Sequence, residues 1–292
     1  MVEGGLGPRA RGRRERGPWL RPAARKAGVF VAVLLALAGS WEGYKALGQA
    51  LDLKWPFEVN DRTMPHVYSM IAELFKPSRR QGPLLIKVLL QASVFTAREA
   101  ALGFLLGAVT GFLLGIVFAH SRLLERGLLP YIVASQTVPI LAIAPMVVIW
   151  LGAGLFSVAI IAAYLTFFPV TINTLRGLRS ADPRAHELMG SYAASGWSVL
   201  WKLRVPASMP YLFTALKVAA PASVVGAIIG ELPSSIQGGL GGAILNFNQY
   251  YVAAPAKLWA TDIIAALLGI SFFGIVSLAE RLVVHRAPEH VA

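Results

Sequence analysis

The chain reads as an all-α integral membrane protein with about six transmembrane helices, and three observations predict it. Hydrophobic residues make up 56% of its 292 positions and charged residues only 14%, with a mean hydropathy of +0.61, whereas a soluble domain is about 25% charged. Apolar stretches near the roughly 20 residues that cross a bilayer recur along it. Its basic residues, which bring the net charge to +12, are placed unevenly around those stretches.

Residues 1–26 hold eight of the 27 basic residues, among them Arg9, Arg11, Arg13 and Arg14, and read as a disordered cytoplasmic arm ahead of the first apolar span. Trp41-Glu42-Gly43-Tyr44-Lys45 is a poor signal-peptidase site, so the first span is expected to stay as an anchor. Residues 27–83 hold that span, about 27–47, and an external segment with Pro56, Pro65, Pro77 and Pro83. A short amphipathic helix at the interface is predicted there over 65–75. Residues 84–284 form the core, with five further spans near 93–119, 128–151, 156–175, 212–232 and 261–284. Residues 285–292 are a cytoplasmic tail. With the N-terminus inside, segments on that side carry seventeen basic residues against six outside, and both termini fall in the cytoplasm.

Within the spans, Gly103, Gly107, Gly111 and Gly115 repeat every four residues and open one helix face to close approach. Packing within the chain is the favoured reading, ahead of a dimer seam. Span three contains Ser135-Gln136-Thr137-Val138-Pro139 and then Pro145. Proline breaks the helical hydrogen bonding, and freed backbone groups at membrane depth need protein or a water-filled cavity. Gln136, Thr137 and Pro139 are therefore candidates for a translocation path, with interhelical hydrogen bonds as the competing use. Asn173 beside Pro169 and Ser223 beside Pro221 are similar, weaker candidates. Glu231 ends span five and is expected to be solvated; an outer gate is its other reading.

The segment from Asp182 to Pro210 is the most informative. Counting from Arg176 to Arg204 it carries seven charges, and burying them in lipid would cost more than about 15 kcal/mol. It must lie in water. Asp182 is a good N-cap, Pro183 suits a first helical position, and Pro206 is expected to stop a second short helix, which makes a two-helix elbow. The elbow reads Glu187-Leu188-Met189, three residues, Ala193, nine residues, then Leu203-Arg204-Val205-Pro206.

That spacing resembles the coupling motif of ABC importer permeases, and the Ala-Ala-Ser-x-Trp run at Ala193–Trp197 is similar to their nitrate/sulfonate/taurine branch. The likeness extends from about Leu84 to the C-terminus. It implies a type I importer permease fold. Where Ala193 replaces the usual glycine, Gly190 and Gly196 are expected to take up the bend. Glu187, Leu188, Met189, Tyr192, Ala193, Ser195, Trp197 and Pro206 are implied to couple to an ATPase, with Leu188, Tyr192 and Trp197 as apolar anchors. A first-turn helix charge is the plainer account of Glu187. The implied partners are ABC ATPase subunits that bind the ATP, an extracytoplasmic substrate-binding protein, a second permease copy and the lipid bilayer. The implied solute is nitrate-, sulfonate- or taurine-like, or a heterocycle such as a thiamine-pyrimidine precursor or riboflavin.

Other functions fit less well. No lysine is followed by serine or threonine, so the phosphate-cradling loop of a self-sufficient ATPase is absent and no cofactor is expected in this chain. There is no cysteine, and the five histidines are scattered, which argues against a metal site or an embedded enzyme. The basic charge lies in the arm, which speaks for lipid contact rather than nucleic acid. An ion-coupled secondary transporter is the alternative; it generally needs ionisable groups inside spans, and Glu42, Glu99, Glu231 and Asp262 read as lying at span ends.

Overall fold

The structure, a computed structural model, describes residues 20–52, 58–234, 236 and 238–284, with side chains from Gly28 onward. The basic arm before residue 20 and the tail from 285 lie outside the described residues. Among the described residues eleven α-helices follow in order: α1 (Leu20–Ala50), α2 (Val67–Leu74), α3 (Leu85–His120), α4 (Arg122–Ser135), α5 (Ile140–Leu151), α6 (Leu155–Leu178), α7 (Pro183–Ser191), α8 (Gly196–Val199), α9 (Val205–Glu231), α10 (Leu240–Gln249) and α11 (Pro255–Val283). The first helix thus begins inside the expected arm, and residues 20–26 are helical. The short helix expected over 65–75 is α2, and the loop expected between spans five and six contains α10.

The chain divides into two compact units between Val67 and Tyr68. In the first, polar side chains clasp α1 to the residues that follow it. Lys45 Nζ lies 2.6 Å from Asp61 Oδ1, Glu42 Oε2 lies 2.7 Å from His66 Nδ1, and the Trp41 indole donates to the Pro65 carbonyl at 3.0 Å. The Lys45 ammonium beside it holds the Asp61 carboxyl below the usual carboxylate range.

The second unit is built on a stack of α3, α6 and α9. The four-glycine stripe of α3 lies against α6: a Cβ at Gly107 would come 2.7 Å from the Ala163 carbonyl oxygen, and one at Gly111 2.6 Å from that of Phe167. On its other side α6 meets Gly226 of α9, where a Cβ would come 2.7 Å from the Ala162 Cα. Without side-chain bulk the backbones approach closely, and dispersion contacts replace the hydrophobic drive that lipid cannot supply. Ala100, Val158, Ala162, Val224 and Ala227 close the core between them. The stripe is an intramolecular seam, as favoured.

Successive glycines of α3 meet successive turns of α6, from Ala162 through Thr166 and Val170 to Thr174. The two helices therefore run in the same direction, and the chain must return between them. It does so through α4 and α5, which meet at 99° across the break at residues 136–139 and count as the sixth candidate span. Pro139 is the N-cap of α5 and cannot extend α4, which explains the break.

Candidate functional site

The elbow fills the gap between the end of α6 and the start of α9. Asp182 caps α7 by accepting from the Arg184 N–H at 2.9 Å, and Pro183 opens the helix. The helix closes with the Ala194 N–H on the Met189 carbonyl at 3.0 Å and the Ala193 N–H on that of Gly190 at 2.9 Å. That pairing needs a left-handed residue just past the helix, and Ala193 supplies it at φ +50°. The bend expected at Gly190 or Gly196 thus sits on Ala193 itself, because only that position lies just beyond the last turn. A methyl-bearing residue there is strained by about 1 kcal/mol.

Ser195 then caps α8, accepting from the Ser198 N–H at 3.3 Å. The second helix does not stop at Pro206. From α8 the chain passes through a π-helical turn, Leu200–Arg204, into α9, where Pro206 occupies the first turn. Proline has no N–H to give, so the run lacks one backbone bond there, directly after the π-turn. The elbow's second arm is thus continuous with a membrane span, and Gly196–Glu231 forms one apolar helical run.

Large apolar side chains stand in water along this polar segment. Leu188 is 58% exposed, Tyr192 78% and Trp197 70%, with Trp201 stacked edge-on against Trp197 at 5.5 Å between ring centres. Glu187 is exposed on α7 one residue from Leu188, and Met189 is half-buried. Two polar links brace this region, one at the root of the elbow and one within it. The Arg179 guanidinium, at the end of α6, grips the Glu125 carboxylate of α4 through two bonds of 2.7 and 2.5 Å. Arg204, in the π-turn, donates to His186 Nε2 of α7 at 3.0 Å. Arg122, Glu125, Arg126 and Arg179 line a cleft of about 920 Å³ at this end of the bundle.

A profile of the inner membrane component of binding-protein-dependent transport systems matches residues 107–285, which take in the end of α3, the broken helix pair, α6, the whole elbow and α9. The chain belongs to that family. It is a multi-pass permease and not an ATPase; ATP is hydrolysed by partner subunits, and the family works with ATPase and binding-protein partners. The formylaminopyrimidine transport permease protein of Halalkalibacterium halodurans is 34% identical over 186 residues, 62% of this chain and 72% of the relative. The riboflavin transport system permease protein of Chloroflexus aurantiacus is 34% identical over 57% of this chain and 61% of its own length. A nitrate import permease protein of Synechococcus elongatus is 25% identical over 87% and 88%.

The candidate path residues fall in three separate places in this permease. Gln136, Thr137 and Pro139 share the break between α4 and α5, which the Tyr164 hydroxyl of α6 holds by donating to the Ser135 carbonyl. The Gln136 amide nitrogen there is buried without a hydrogen-bond partner among the described residues, while Thr137 bonds back to the Ala134 carbonyl at 2.7 Å. Asn173 donates to the Pro169 carbonyl in α6 at 2.8 Å. Ser223 is fully buried in α9 with its hydroxyl on the Ala220 carbonyl. Among the described residues, no hydrogen bond joins the three places.

Sequence reasoning missed the Arg179–Glu125 and Arg204–His186 links, since charges far apart in the chain carry no mark of their pairing. It also misplaced two carboxyls. Glu231 is not solvated but 1% exposed, and Glu99 lies well inside the 36-residue α3, fully buried. The absence of ionisable groups inside spans is therefore no argument against ion coupling. Family membership decides that question instead.

Proposed function

We propose that this permease imports a small polar solute, and that the elbow lies in the cytoplasm as the lever on which an ATPase subunit acts. One observation carries the reading: a segment too charged for lipid exposes Leu188, Tyr192 and Trp197 beside Glu187, on helices that lead from α6 into α9 and are braced by the Arg204–His186 link. Buried aromatics commonly anchor interfaces, and nothing among the described residues covers these. The excess of basic residues on the elbow side supports a cytoplasmic elbow and cytoplasmic termini.

Two permease copies enclose one pathway in this reading, with residues 84–284 of each as its core. The face of α4 and α5 supports it, since Tyr131, Ile149 and Trp150 stand exposed on a polypeptide that must return through the membrane. ATP binding closes the ATPase pair and displaces α7 and α8. The π-turn passes that displacement to α9, and the Arg179–Glu125 grip passes it to α4 and the break at Gln136. Access then alternates between the two faces. An extracytoplasmic binding protein delivers the solute. The solutes named for the relatives, formylaminopyrimidine, riboflavin, aliphatic sulfonates and nitrate, set the class: a small anion or a polar heterocycle.

Reconstitution with the ATPase and binding protein in liposomes tests it. Uptake must require ATP, and Glu187→Ala or Tyr192→Arg must weaken retention of the ATPase on the tagged permease. Uptake driven by a proton or sodium gradient without ATP, or full retention in both variants, overturns the reading.

A further inference from the structure

At the end of the bundle far from the elbow, two carboxyl groups meet in the interior. Glu231 is the last residue of α9, and its side chain turns back into the protein. Its Oε1 accepts from the Thr96 hydroxyl at 2.6 Å and its Oε2 from the Gly241 N–H, while the Gly242 N–H also points to it. Thr96 Oγ1 in turn accepts from the Leu240 N–H at 2.9 Å. The carboxylate and the threonine thus satisfy the open N–H groups of α10 in place of a local cap, at the end where the helix dipole favours negative charge.

The site is built to admit that carboxyl. A Cβ at Gly239 would overlap the Glu231 carboxyl, and one at Gly241 would lie 2.8 Å from the Glu231 Cβ. The Gly238–Gly242 run therefore has a physical reason: any side chain at 239 or 241 displaces the glutamate.

Glu99 stands one turn beyond Thr96 on α3, fully buried, with its carboxyl beside that of Glu231. Among the described residues, neither of its oxygens receives a hydrogen bond from a protein donor. Among the described residues, the groups acting on the pair are Thr96, the Gly241 and Gly242 amides and the two carboxyls themselves; Asp262 on α11 acts on neither. No lysine, arginine or histidine forms an ion pair with either among the described residues. A carboxylate can only accept, so two ionised groups here would face each other with like charge and nothing between them.

We propose that Glu99 and Glu231 form a proton-binding site that pins the start of α10 to α3. The donors assign the roles. Glu231, with a hydroxyl and two amides directed at it, is the carboxylate. Glu99, with none, holds the proton and donates it to Glu231. Removal of the proton leaves two facing negative charges between α3 and the turn joining α9 to α10, and α10 lifts from its seat. The inference rests on this site alone and not on the assignment of solute or partners.

Infrared spectroscopy of the full chain in nanodiscs, grown with [¹³C]glutamate, tests it. At about pH 7, where exposed carboxyls are ionised, a protonated carboxyl stretch that shifts with the label is expected, and it is lost in Glu99→Gln. Glutamate labelling separates this band from any band of Asp262, and keeps the test intact if Glu99→Gln does not fold. The absence of such a band overturns the proposal, as does its survival in Glu99→Gln. Its loss on adding sodium or potassium at constant pH makes the site a cation site and also overturns it. The chain has no cysteine, so a spin label at Leu245→Cys on α10 reports the seat. Its mobility should rise at alkaline pH in an otherwise wild-type chain and stay constant with Glu99→Gln; equal behaviour in both removes the pin.

Discussion

The stack of α3, α6 and α9 and the elbow that joins α6 to α9 are opposite solutions in one polypeptide. In the stack every close approach is filled from within: glycines against carbonyls, threonine and serine hydroxyls turned onto their own helices, and small side chains in the gaps. In the elbow the backbone is satisfied by caps and by the turn at Ala193, yet its largest side chains are left in solvent. The inner faces of the first region are packed within the chain. The second is folded but unfinished, and an exposed aromatic surface on a well-capped scaffold is what a partner requires.

The comparison breaks most readily at the glycines. Gly107→Val puts branched carbons where a Cβ already crowds Thr166 and Ala163, and is expected to destabilise the chain by about 3 kcal/mol. A steep loss of folded protein in detergent checks it; a mild effect would mean that the helices separate cheaply. At the elbow the opposite is expected. Tyr192→Arg should leave thermal unfolding of the isolated permease unchanged and weaken ATPase binding by about 2 kcal/mol, roughly thirtyfold, in a titration with the purified subunit. If that substitution unfolds the permease instead, the elbow is not the free surface described.

Smaller effects sharpen the same contrast. Arg179→Ala removes the two-point grip on Glu125, an exposed pair worth about 1 kcal/mol, so permease stability should fall only slightly. ATP-driven uptake should fall much further if the grip passes movement to α4. Ala193→Gly relieves the left-handed alanine and should raise stability by roughly 0.5–1 kcal/mol, read as a higher unfolding temperature. Least of all is an acid effect in the first unit. Asp61 has a carboxyl held low by Lys45, so its contribution is present above the ordinary carboxylate range of about 4 and is lost as the pH falls through its lowered value. Asp61→Asn should flatten the acid limb of the unfolding profile slightly.

What the sequence determined by itself is local and periodic. Span lengths, the glycine stripe, the caps at Asp182 and the break at Pro139 are all set by residues within a few turns of each other, where spacing alone places side chains on one face or removes a donor. The charges from Arg176 to Arg204 and the helix signals at Asp182 and Pro183 marked the elbow for the same reason. Tertiary structure decided the rest. Whether Pro206 ends a helix or enters one depends on how far the π-turn winds before α9, and the left-handed strain at Ala193 depends on where α7 ends. Arg179 finding Glu125, and Glu99 and Glu231 meeting beneath α10, join residues 54 and 132 positions apart. Such pairs lie on helices whose alignment follows from packing of the glycine seam, and charge identity along a chain carries no record of which distant group it will face.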